Sequence, residues 1–305
     1  MMWMLPPPEI ATEVFTEMPT ELRRTGRDTA WAAANKGAPL DSFLEGPAFD
    51  AEGNLWCTDI PHGRVFRIDP SGTWTQVAEY DGEPNGLKFA PDGHIWLADY
   101  RNGIMRLDRD SGQVTPVLER RRAERFRGPN DLIFARNGDL YFTDQGQTGM
   151  HDPTGRVYRL GADGQLDCLI SNGPSPNGLI LDAEEKFLYV AMTRSNEVWR
   201  MPLLPEGGTT KVQVFARFFG GNSGPDGMAL DRDGNVAVAH AGLGCIFQVD
   251  KLGQPRRIVR SCRGLTTTNL AYGGPDMDRM FITDSSTGTI LCAQMDVAAD
   301  PLPFR

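Results

Sequence analysis

The sequence has few cysteines, no long apolar run and no recognisable leader segment. Its five cysteines are odd in number and form no CxxC pair, so neither a disulfide framework nor a zinc knuckle is indicated, and a reducing compartment is favoured. No apolar stretch approaches the roughly 18 residues that a membrane-spanning helix needs. The first residues, MMWMLPPPEI, lack both the basic part and the apolar part of a secretory signal. We therefore expect a cytoplasmic protein that has no membrane partner.

Positive charge is also scarce. The 305 residues carry a formal net charge of −9, and no basic stripe that would bind a phosphate backbone is present, so a nucleic-acid partner is not expected. One basic cluster, residues 120–127, is interrupted by alanine, glutamate and phenylalanine. We interpret it as a solvated loop, with attraction of an anionic substrate as the alternative.

Several catalytic motifs are missing. There is no GxSxG, which disfavours the serine hydrolases that use a nucleophile elbow. No Walker pattern occurs, and no strand, glycine-rich turn and helix follow one another as a dinucleotide site requires. The four histidines show no HExxH-like spacing, so a histidine zinc site is not expected; they are His62, His94, His151 and His240. Redox and nucleotide-dependent chemistry are therefore disfavoured.

Glycine and proline, in contrast, are abundant, at 34 and 22 residues, and they recur along the chain rather than in one linker. One segment type occurs six times, as EGPAF, NGLKF, NDLIF, NGLIL, DGMAL and TNLAY. The copies begin at Glu45, Asn85, Asn130, Asn177, Asp226 and Thr268, which lie 40, 45, 47, 49 and 42 positions apart.

Each copy is followed by a turn and two further strand-like segments. A repeat of 40 to 49 residues with three clear strands and a weaker outer one is typical of a propeller blade. The repeats of a linear solenoid usually contain a helix or a shorter rung, and neither is found here. The sequence therefore predicts an all-β protein, a six-bladed β-propeller around a central channel.

The repeats divide the chain into an N-terminal arm, residues 1–44, and a propeller, residues 45–305. In the arm, EIATEVFTEMP is a candidate strand, and we expect it to close the ring by pairing with the last blade near residues 288–295. The segment ELRRTGRDTAWAAANKG is predicted to form a short helix or an ordered arm. The protein is expected to be a monomer or a homodimer.

The first position of each repeat is a candidate ligand position, because the innermost strands of all blades border the channel. Two carboxylates, Glu45 and Asp226, and three carboxamides converge there. Oxygen ligands of this kind suit calcium, with zinc, manganese or magnesium as alternatives. Asn-Gly and Asp-Gly also form ordinary turns before strands, but glutamate is a poor turn former. We therefore predict one divalent cation in the channel.

Further candidates follow the second strand of each blade, at the channel mouth. These are Asp59, Tyr100, Asp144, Thr193 and His240. Four aspartates recur at this position, and capping of the next turn is the preferred interpretation for each of them; they are Asp59, Asp99, Asp144 and Asp284. Substrate contacts are expected from Asn85, Asn130, Tyr100, Arg127 and His240.

The segments LEGPAF, PNDLIF, SPNGLIL and GPDGMAL resemble the metal-site segments of the gluconolactonase, regucalcin and senescence-marker-protein family, over roughly residues 40 to 295. The resemblance implies that Glu45, Asn177 and Asp226 hold the ion. It also implies that Asn130 binds the metal or its ligand. Regucalcin-like members place an arginine two positions before that asparagine, where this chain has Gly128; Arg127 lies one residue further back.

The resemblance implies a metal-dependent lactonase that acts on an aldonolactone such as D-glucono-1,5-lactone. The cation would polarise the lactone carbonyl, and Asp226 would serve as general base for a water, with direct attack by Asp226 as the alternative. More distant propellers, the diisopropylfluorophosphatases and paraoxonases, resemble it in their central ion, and fold alone does not name the substrate. A phosphotriesterase-like hydrolase and a non-catalytic calcium-binding propeller are therefore the alternatives.

Overall fold

The computed structural model describes residues 6–304, and its strands form six antiparallel blades around a channel. Each inner strand packs beside the inner strands of the two neighbouring blades, and the inner strand of blade 6 packs beside that of blade 1. The ring is therefore closed, and the predicted six-bladed, all-β fold is confirmed. Residues 1–5 lie outside the described residues. They are the first half of MMWMLPPPEI, the segment in which the sequence predicts no secretory signal.

Four strands of each blade follow one another outward from the channel, except that blade 6 receives its outer strand from the N-terminal arm. From the channel outward, the strands are Leu44–Phe49, Leu55–Asp59, Arg64–Ile68 and Trp74–Glu79 in blade 1; Pro84–Phe89, Ile95–Asp99, Gly103–Leu107 and Val114–Leu118 in blade 2; Pro129–Phe134, Leu140–Asp144, Gly155–Leu160 and Leu166–Gly173 in blade 3; Pro176–Leu181, Phe187–Met192, Glu197–Pro202 and Gln213–Arg217 in blade 4; Gly224–Leu230, Val236–Ala241, Cys245–Val249 and Pro255–Arg260 in blade 5; and Thr267–Gly273, Arg279–Asp284 and Thr289–Gln294 in blade 6.

The N-terminal arm contributes two strands to two different blades. Glu13–Glu17 pairs antiparallel with Thr289–Gln294, as predicted, and completes blade 6. Glu9–Ala11 pairs in parallel with the outer strand of blade 5, which the sequence did not predict. Between them, Thr12 donates its backbone N–H to the carbonyl of Arg260 (3.0 Å). The arm thus joins the two ends of the ring and covers two sheet edges that would otherwise be exposed.

The hydrophobic core is divided among the junctions between neighbouring blades. Leu55 of blade 1 belongs to the same cluster as Phe281 of blade 6, and Ile104 of blade 2 to the same cluster as Phe142 of blade 3. These side chains are fully or almost fully buried. Because each blade buries both faces, its strands are apolar almost throughout, which explains why strict alternation is weak in the sequence.

Short helices and a hairpin occupy the ends of the ring. They are the α-helix Ala30–Asn35, the 3-10 helices Thr20–Leu22, Ile60–His62 and Thr193–Ser195, and the basic hairpin of Arg120–Arg121 and Glu124–Arg125. The α-helix confirms the predicted short helix of the arm, and it packs Trp31 against Phe43 with ring centroids 5.0 Å apart. In the described part of the chain, no helix is long and apolar enough to cross a membrane.

Candidate active site

Hydrogen bonds between blades hold the first residues of the repeats at one end of the channel. Thr58 Oγ1 donates to the carbonyl of Asn85 (2.7 Å), and Thr143 Oγ1 donates to the carbonyl of Asn177 (2.7 Å). Thr193 Oγ1 donates in the same way to the carbonyl of Pro225 (2.8 Å), the residue before Asp226. Each bond runs from the second strand of one blade, or in blade 4 from the 3-10 helix directly after it, to the inner strand of the next, so it fixes the height of that inner strand in the ring.

Glu45 and Asp226 form a pair of buried carboxyl groups in the channel. Their residues are 3% and 8% exposed. Burial raises the pKa of Glu45 to about 7, although hydrogen bonds from Gly46 and Asn269 oppose the shift. Burial, and then repulsion by Glu45 and Asp131, raise the pKa of Asp226 well above its ordinary value. Two like charges this close are unfavourable unless a cation lies between them, so the pair fits a divalent ion.

The neighbouring carboxamides leave their oxygens available for a ligand. Asn130 donates from Nδ2 to Oε1 of Gln145 (2.8 Å), and Gln145 in turn donates to Oγ of Ser175 (2.9 Å). This arrangement orients the Asn130 amide and leaves its Oδ1 free to face the channel. Within residues 6–304, the side-chain amides of Asn85 and Asn177, both buried, make no hydrogen bond. Buried amides without protein partners suit an ion or a polar substrate.

A second ring, one residue further along each inner strand, contains two functional candidates that sequence reasoning missed. Four of its six positions are glycine, and the other two are Asp131 and Asn269. A Cβ on Gly227 would overlap Oδ1 of Asn269, and one on Gly86 would overlap Oδ1 of Asp131. The glycines therefore make room for these two side chains. The signal in the sequence was the departure of these two repeats from glycine.

Asn269 and Asp131 both act on the carboxyl pair. Asn269 donates from Nδ2 to Oε2 of Glu45 (2.8 Å), which holds that carboxyl group in place. Asp131 is buried, and burial raises its pKa, while the ammonium of Lys88, 3.9 Å from Oδ1, opposes the shift. Lys88 thus balances the charge of Asp131 below the pair.

Thr268, the sixth member of the first ring, is used for ring closure. Its Oγ1 lies 3.2 Å from the carbonyl oxygen of Leu44 and 2.7 Å from Oγ of Ser285. Ser285 also donates to the carbonyl of Leu44 (2.5 Å). These contacts join blade 6 to blade 1 just beside Glu45.

The recurring aspartates all accept hydrogen bonds, but only Asp99 caps the turn that follows it, as predicted; for the other three the prediction was wrong, because their backbone donors precede them in the chain. Asp144 accepts hydrogen bonds from the backbone N–H groups of Arg127 (2.7 Å) and Gly128 (2.8 Å). Asp99 accepts from the N–H groups of Arg101 and Asn102. Asp59 accepts from the backbone of Phe43 and pairs with Arg64, and Asp284 accepts from Ser261 Oγ and the backbone of Gly264.

His240 occupies the equivalent position in blade 5. Its Nε2 is 2.8 Å from Oδ1 of Asn196, and its ring packs edge-on against Phe218 and Phe247. The residue is completely buried, and burial lowers the pKa of the imidazole to about 4. The structure therefore places His240 inside the blade, in a structural contact, rather than with the channel residues.

Tyr100 and Arg127, both predicted at the mouth, have different surroundings. Tyr100 is half-buried, and its hydroxyl accepts a hydrogen bond from Nε2 of Gln147 (2.6 Å). Arg127 bonds through Nη1 to Thr154 Oγ1 and lies 3.8 Å from Asp152. A Cβ on Gly128 would lie 2.5 Å from Cε2 of Tyr100, so the tyrosine ring fills the space where a side chain at 128 would begin.

The remaining histidines do not converge. His62 Nε2 lies 2.9 Å from the carbonyl of Leu40, and His94 lies beside Asp92 and Asp108 on the surface. Among residues 6–304, no group of three or more histidine, cysteine, aspartate or glutamate side chains is arranged to hold a metal. The donors that do converge are two carboxylates with carboxamides, which is an oxygen set for a hard cation.

Fold and site together define a six-bladed β-propeller with a candidate hard-cation site at one end of its channel. Residues 43–286 match the family described as SMP-30/Gluconolactonase/LRE-like region, so the chain belongs to this family, and the resemblance inferred from the sequence is confirmed.

Individual relatives agree with this placement. The chain is 32% identical over 262 residues to a gluconolactonase of Zymomonas mobilis, covering 76% of this chain and 73% of the relative. It is 29% identical over 225 residues to Lactonase drp35 of Staphylococcus aureus, covering 70% of this chain and 68% of the relative. A calcium-binding protein, regucalcin, of Agrobacterium tumefaciens shares the fold, with a TM-score of 0.78, 22% identity and 99% of each chain covered.

Proposed function

We propose that this protein is a metal-dependent lactonase that hydrolyses a small aldonolactone, such as D-glucono-1,5-lactone, to the hydroxy acid. The observation that carries the proposal is the buried pair of Glu45 and Asp226, in one ring with the Asn85 and Asn177 amides, which make no hydrogen bond within residues 6–304. The names of the relatives, gluconolactonase and lactonase, support this reaction class.

The residues that would hold the cation are Glu45, Asn177 and Asp226, with Asn130 binding the ion or its ligand. Two carboxylates balance the charge of a divalent ion, and the all-oxygen donor set suits calcium, magnesium and manganese better than zinc; we propose calcium. When bound, the cation supplies Lewis-acid polarisation of the lactone carbonyl. The calcium-binding relative supports this choice of metal.

Asp226 is proposed as the general base. Within residues 6–304 its side chain accepts no hydrogen bond, so its oxygens are available to the channel. In the proposed reaction its carboxylate takes a proton from water as the water oxygen bonds to the lactone carbonyl carbon. The ring C–O bond then breaks, and the departing oxygen takes up a proton to become the hydroxyl group. Direct attack by Asp226 is the alternative: its oxygen would bond to the acyl carbon as the ring C–O bond breaks, and water would then cleave the anhydride at the Asp226 carbonyl. A single turnover in ¹⁸O-labelled water distinguishes the two, because only direct attack gives an unlabelled first product.

We place the substrate contacts at Asn85, Asn130 and Tyr100. The two amides are at the carboxyl pair, and the Tyr100 hydroxyl is at the mouth. Arg127 and His240, which the sequence also predicts as substrate contacts, are bound to Thr154 and Asn196, so we assign them no contact with substrate. A cytoplasmic location and a monomeric or homodimeric state stay predictions.

The experiment that tests this function is acid release from D-glucono-1,5-lactone, measured above the spontaneous rate. The wild-type protein is expected to be active and Asp226→Asn to lose at least about 100-fold in kcat. Asp233→Asn serves as control, because it removes the same charge from an exposed turn at the other end of the same blade's inner strand. No hydrolysis of this or other five- and six-membered lactones by the wild-type protein, with metal bound, would favour phosphotriesters or a binding role instead.

A further inference from the structure

Two cationic side chains stand at the channel mouth without a carboxylate partner. They are Lys36, from the N-terminal arm, and Arg194, from blade 4; in the described part of the chain neither forms an ion pair. Within residues 6–304 more than half of the arginines form ion pairs, as Arg64, Arg159 and Arg217 do. Unpaired cations beside a candidate active site therefore call for a ligand that is absent from the protein itself.

Lys36 is held at the mouth by the arm. It follows the helix Ala30–Asn35, and its backbone N–H donates to the carbonyl of Ala32 (2.8 Å). Its ammonium lies 4.5 Å from the ring centroid of Phe43, two residues before Glu45. The preceding residue, Asn35, accepts a hydrogen bond from Gln147 of blade 3 (3.1 Å). The end of the helix is therefore attached to blade 3 as well as packed beside blade 1.

Arg194 is held by the turn that orders Asp226. The residue before it, Thr193, donates to the carbonyl of Pro225, and the backbone N–H of Arg194 donates to the carbonyl of Pro174 (3.3 Å). Its stem lies along a loop of blade 3, where a Cβ on Gly149 would meet Cγ of Arg194 at 3.5 Å. The guanidinium itself, which is exposed, makes no hydrogen bond within residues 6–304.

Both cations act electrostatically on Asp226. Each of them lowers the pKa of that carboxyl group, against the larger effect of burial. Although Lys36 is exposed by surface area, desolvation by its surroundings lowers the pKa of its ammonium, and the Asp226 charge opposes that shift. The contacts agree with this: one loop of blade 3 bonds through Gln147 to Asn35, next to Lys36, and lies at Gly149 against the stem of Arg194, so both side chains border the same loop.

The charges of the site then leave a positive excess. One divalent cation would balance Glu45 and Asp226, and Lys88, 3.9 Å from Oδ1, balances Asp131. Lys36 and Arg194 remain, although the protein as a whole carries a net charge of −9. Positive charge at the channel mouth of an acidic protein attracts an anionic ligand to the mouth, while the negative charge of the remaining surface repels it.

Resting on the proposed lactonase function, we propose that Lys36 and Arg194 determine specificity by binding a carboxylate on the substrate, away from the scissile carbonyl. The substrate class is therefore a lactone that carries a free carboxylate, such as the monolactone of a sugar dicarboxylic acid. Arginine binds a carboxylate through two parallel N–H donors, and the lysine adds a point charge.

The test compares D-glucaro-1,4-lactone with D-glucono-1,4-lactone, which differ only in a carboxylate in place of a hydroxymethyl group. The wild-type protein is expected to show a kcat/KM at least about 10-fold higher for the acid-bearing lactone. Lys36→Gln and Arg194→Gln are each expected to raise its KM by about 10-fold, while any effect on kcat through Asp226 should be the same for both lactones, so the preference for the acid-bearing lactone falls by about 10-fold.

Lys186→Gln is the matched control, because it removes one exposed positive charge from the turn at the opposite end of blade 4, where Lys186 pairs with Glu184. This variant should leave kcat/KM for both lactones unchanged. It therefore separates the effect of a local contact with the substrate from the effect of the protein's net charge. Calorimetry with glucarate and gluconate provides a readout independent of turnover. The wild-type protein is expected to bind glucarate about 10-fold more tightly than gluconate, and the Lys36 and Arg194 variants are expected to lose this preference.

The outcomes are distinguishable. If the wild-type protein hydrolyses neither lactone, the proposed function fails. If it hydrolyses both equally, or if both variants keep the preference for the acid-bearing lactone and for glucarate, the lactonase function stands and the assignment of Lys36 and Arg194 is overturned.

Discussion

The side-chain amide of Asn269 donates a hydrogen bond of 2.8 Å to Oε2 of Glu45, across the junction at which blade 6 meets blade 1. The two residues are 224 positions apart in the chain, and the ring brings them together. Glu45 also accepts from the backbone N–H of Gly46 (2.8 Å). The geometry of one carboxyl group of the candidate metal site thus depends on the closure of the propeller.

Replacing Asn269 should therefore weaken metal binding without removing a ligand. Asn269→Ala leaves Glu45 without its side-chain donor, and we expect calcium affinity to fall by about 10- to 100-fold, the usual effect of losing a group that orients a ligand. Titration calorimetry measures it. Asn137→Ala, in an exposed turn at the opposite end of blade 3, is the control and should bind calcium normally. Unchanged affinity in Asn269→Ala would show that the bond does not position Glu45.

The glycines of the second ring make a related prediction. A Cβ on Gly227 would overlap Oδ1 of Asn269, so Gly227→Ala should displace that amide, weaken calcium binding and destabilise the fold by about 1–3 kcal/mol. Gly208→Ala is the control, since the nearest atom to its Cβ lies 3.8 Å away. Denaturant unfolding and calcium titration of both variants provide the comparison, and equal behaviour would contradict the packing argument.

His240 predicts a loss of stability in acid. Its pKa is lowered from the ordinary 6.5 to about 4, so the unfolded chain binds the proton more tightly than the folded protein does. The contribution of the neutral imidazole is complete above pH 6.5 and is lost as the pH falls toward 4, by about 3 kcal/mol. Denaturant unfolding from pH 7.5 to 4 measures this fall. His240→Gln should show a smaller fall in stability, whereas His151→Gln, at an exposed position, should follow the wild-type protein.

Ring closure by the arm can be tested with two truncations. Deleting residues 1–12 removes Glu9–Ala11 from the outer edge of blade 5, and deleting residues 1–18 also removes Glu13–Glu17 from blade 6. The longer deletion leaves blade 6 with three strands and an open edge, so we expect its Tm to fall by about 10 °C or more below that of the shorter one, with aggregation. Equal thermal stability of the two deletions would mean that Glu13–Glu17 does not hold the ring closed.

Much of the fold was predictable from the sequence because each blade repeats the same order of strands and turns. The repeats gave six blades, and the pairing of the arm with residues 289–294 followed from an unpaired candidate strand and an incomplete last blade. The strand Glu9–Ala11 was not predictable, since its parallel pairing with Pro255–Arg260 depends on the position of blade 5 beside the ring closure.

For the site, register predicted which side chains meet but not how each is oriented. Glu45, Asn130, Asn177 and Asp226 follow from the first position of the repeat, whereas Asn269 and Asp131 stand in a ring that is otherwise glycine. His240 and Arg127 lie at positions near the mouth in sequence, but their side chains are bound to Asn196 and Thr154. Such side-chain partners come from other strands and loops and are not encoded in the spacing.

The most direct test of the central claim is acid release from D-glucono-1,5-lactone by protein stripped with a chelator, before and after calcium is restored. We expect the stripped protein to match the spontaneous rate and calcium to restore hydrolysis, saturating at one ion per chain. Full hydrolysis by protein shown to be free of metal would contradict the account.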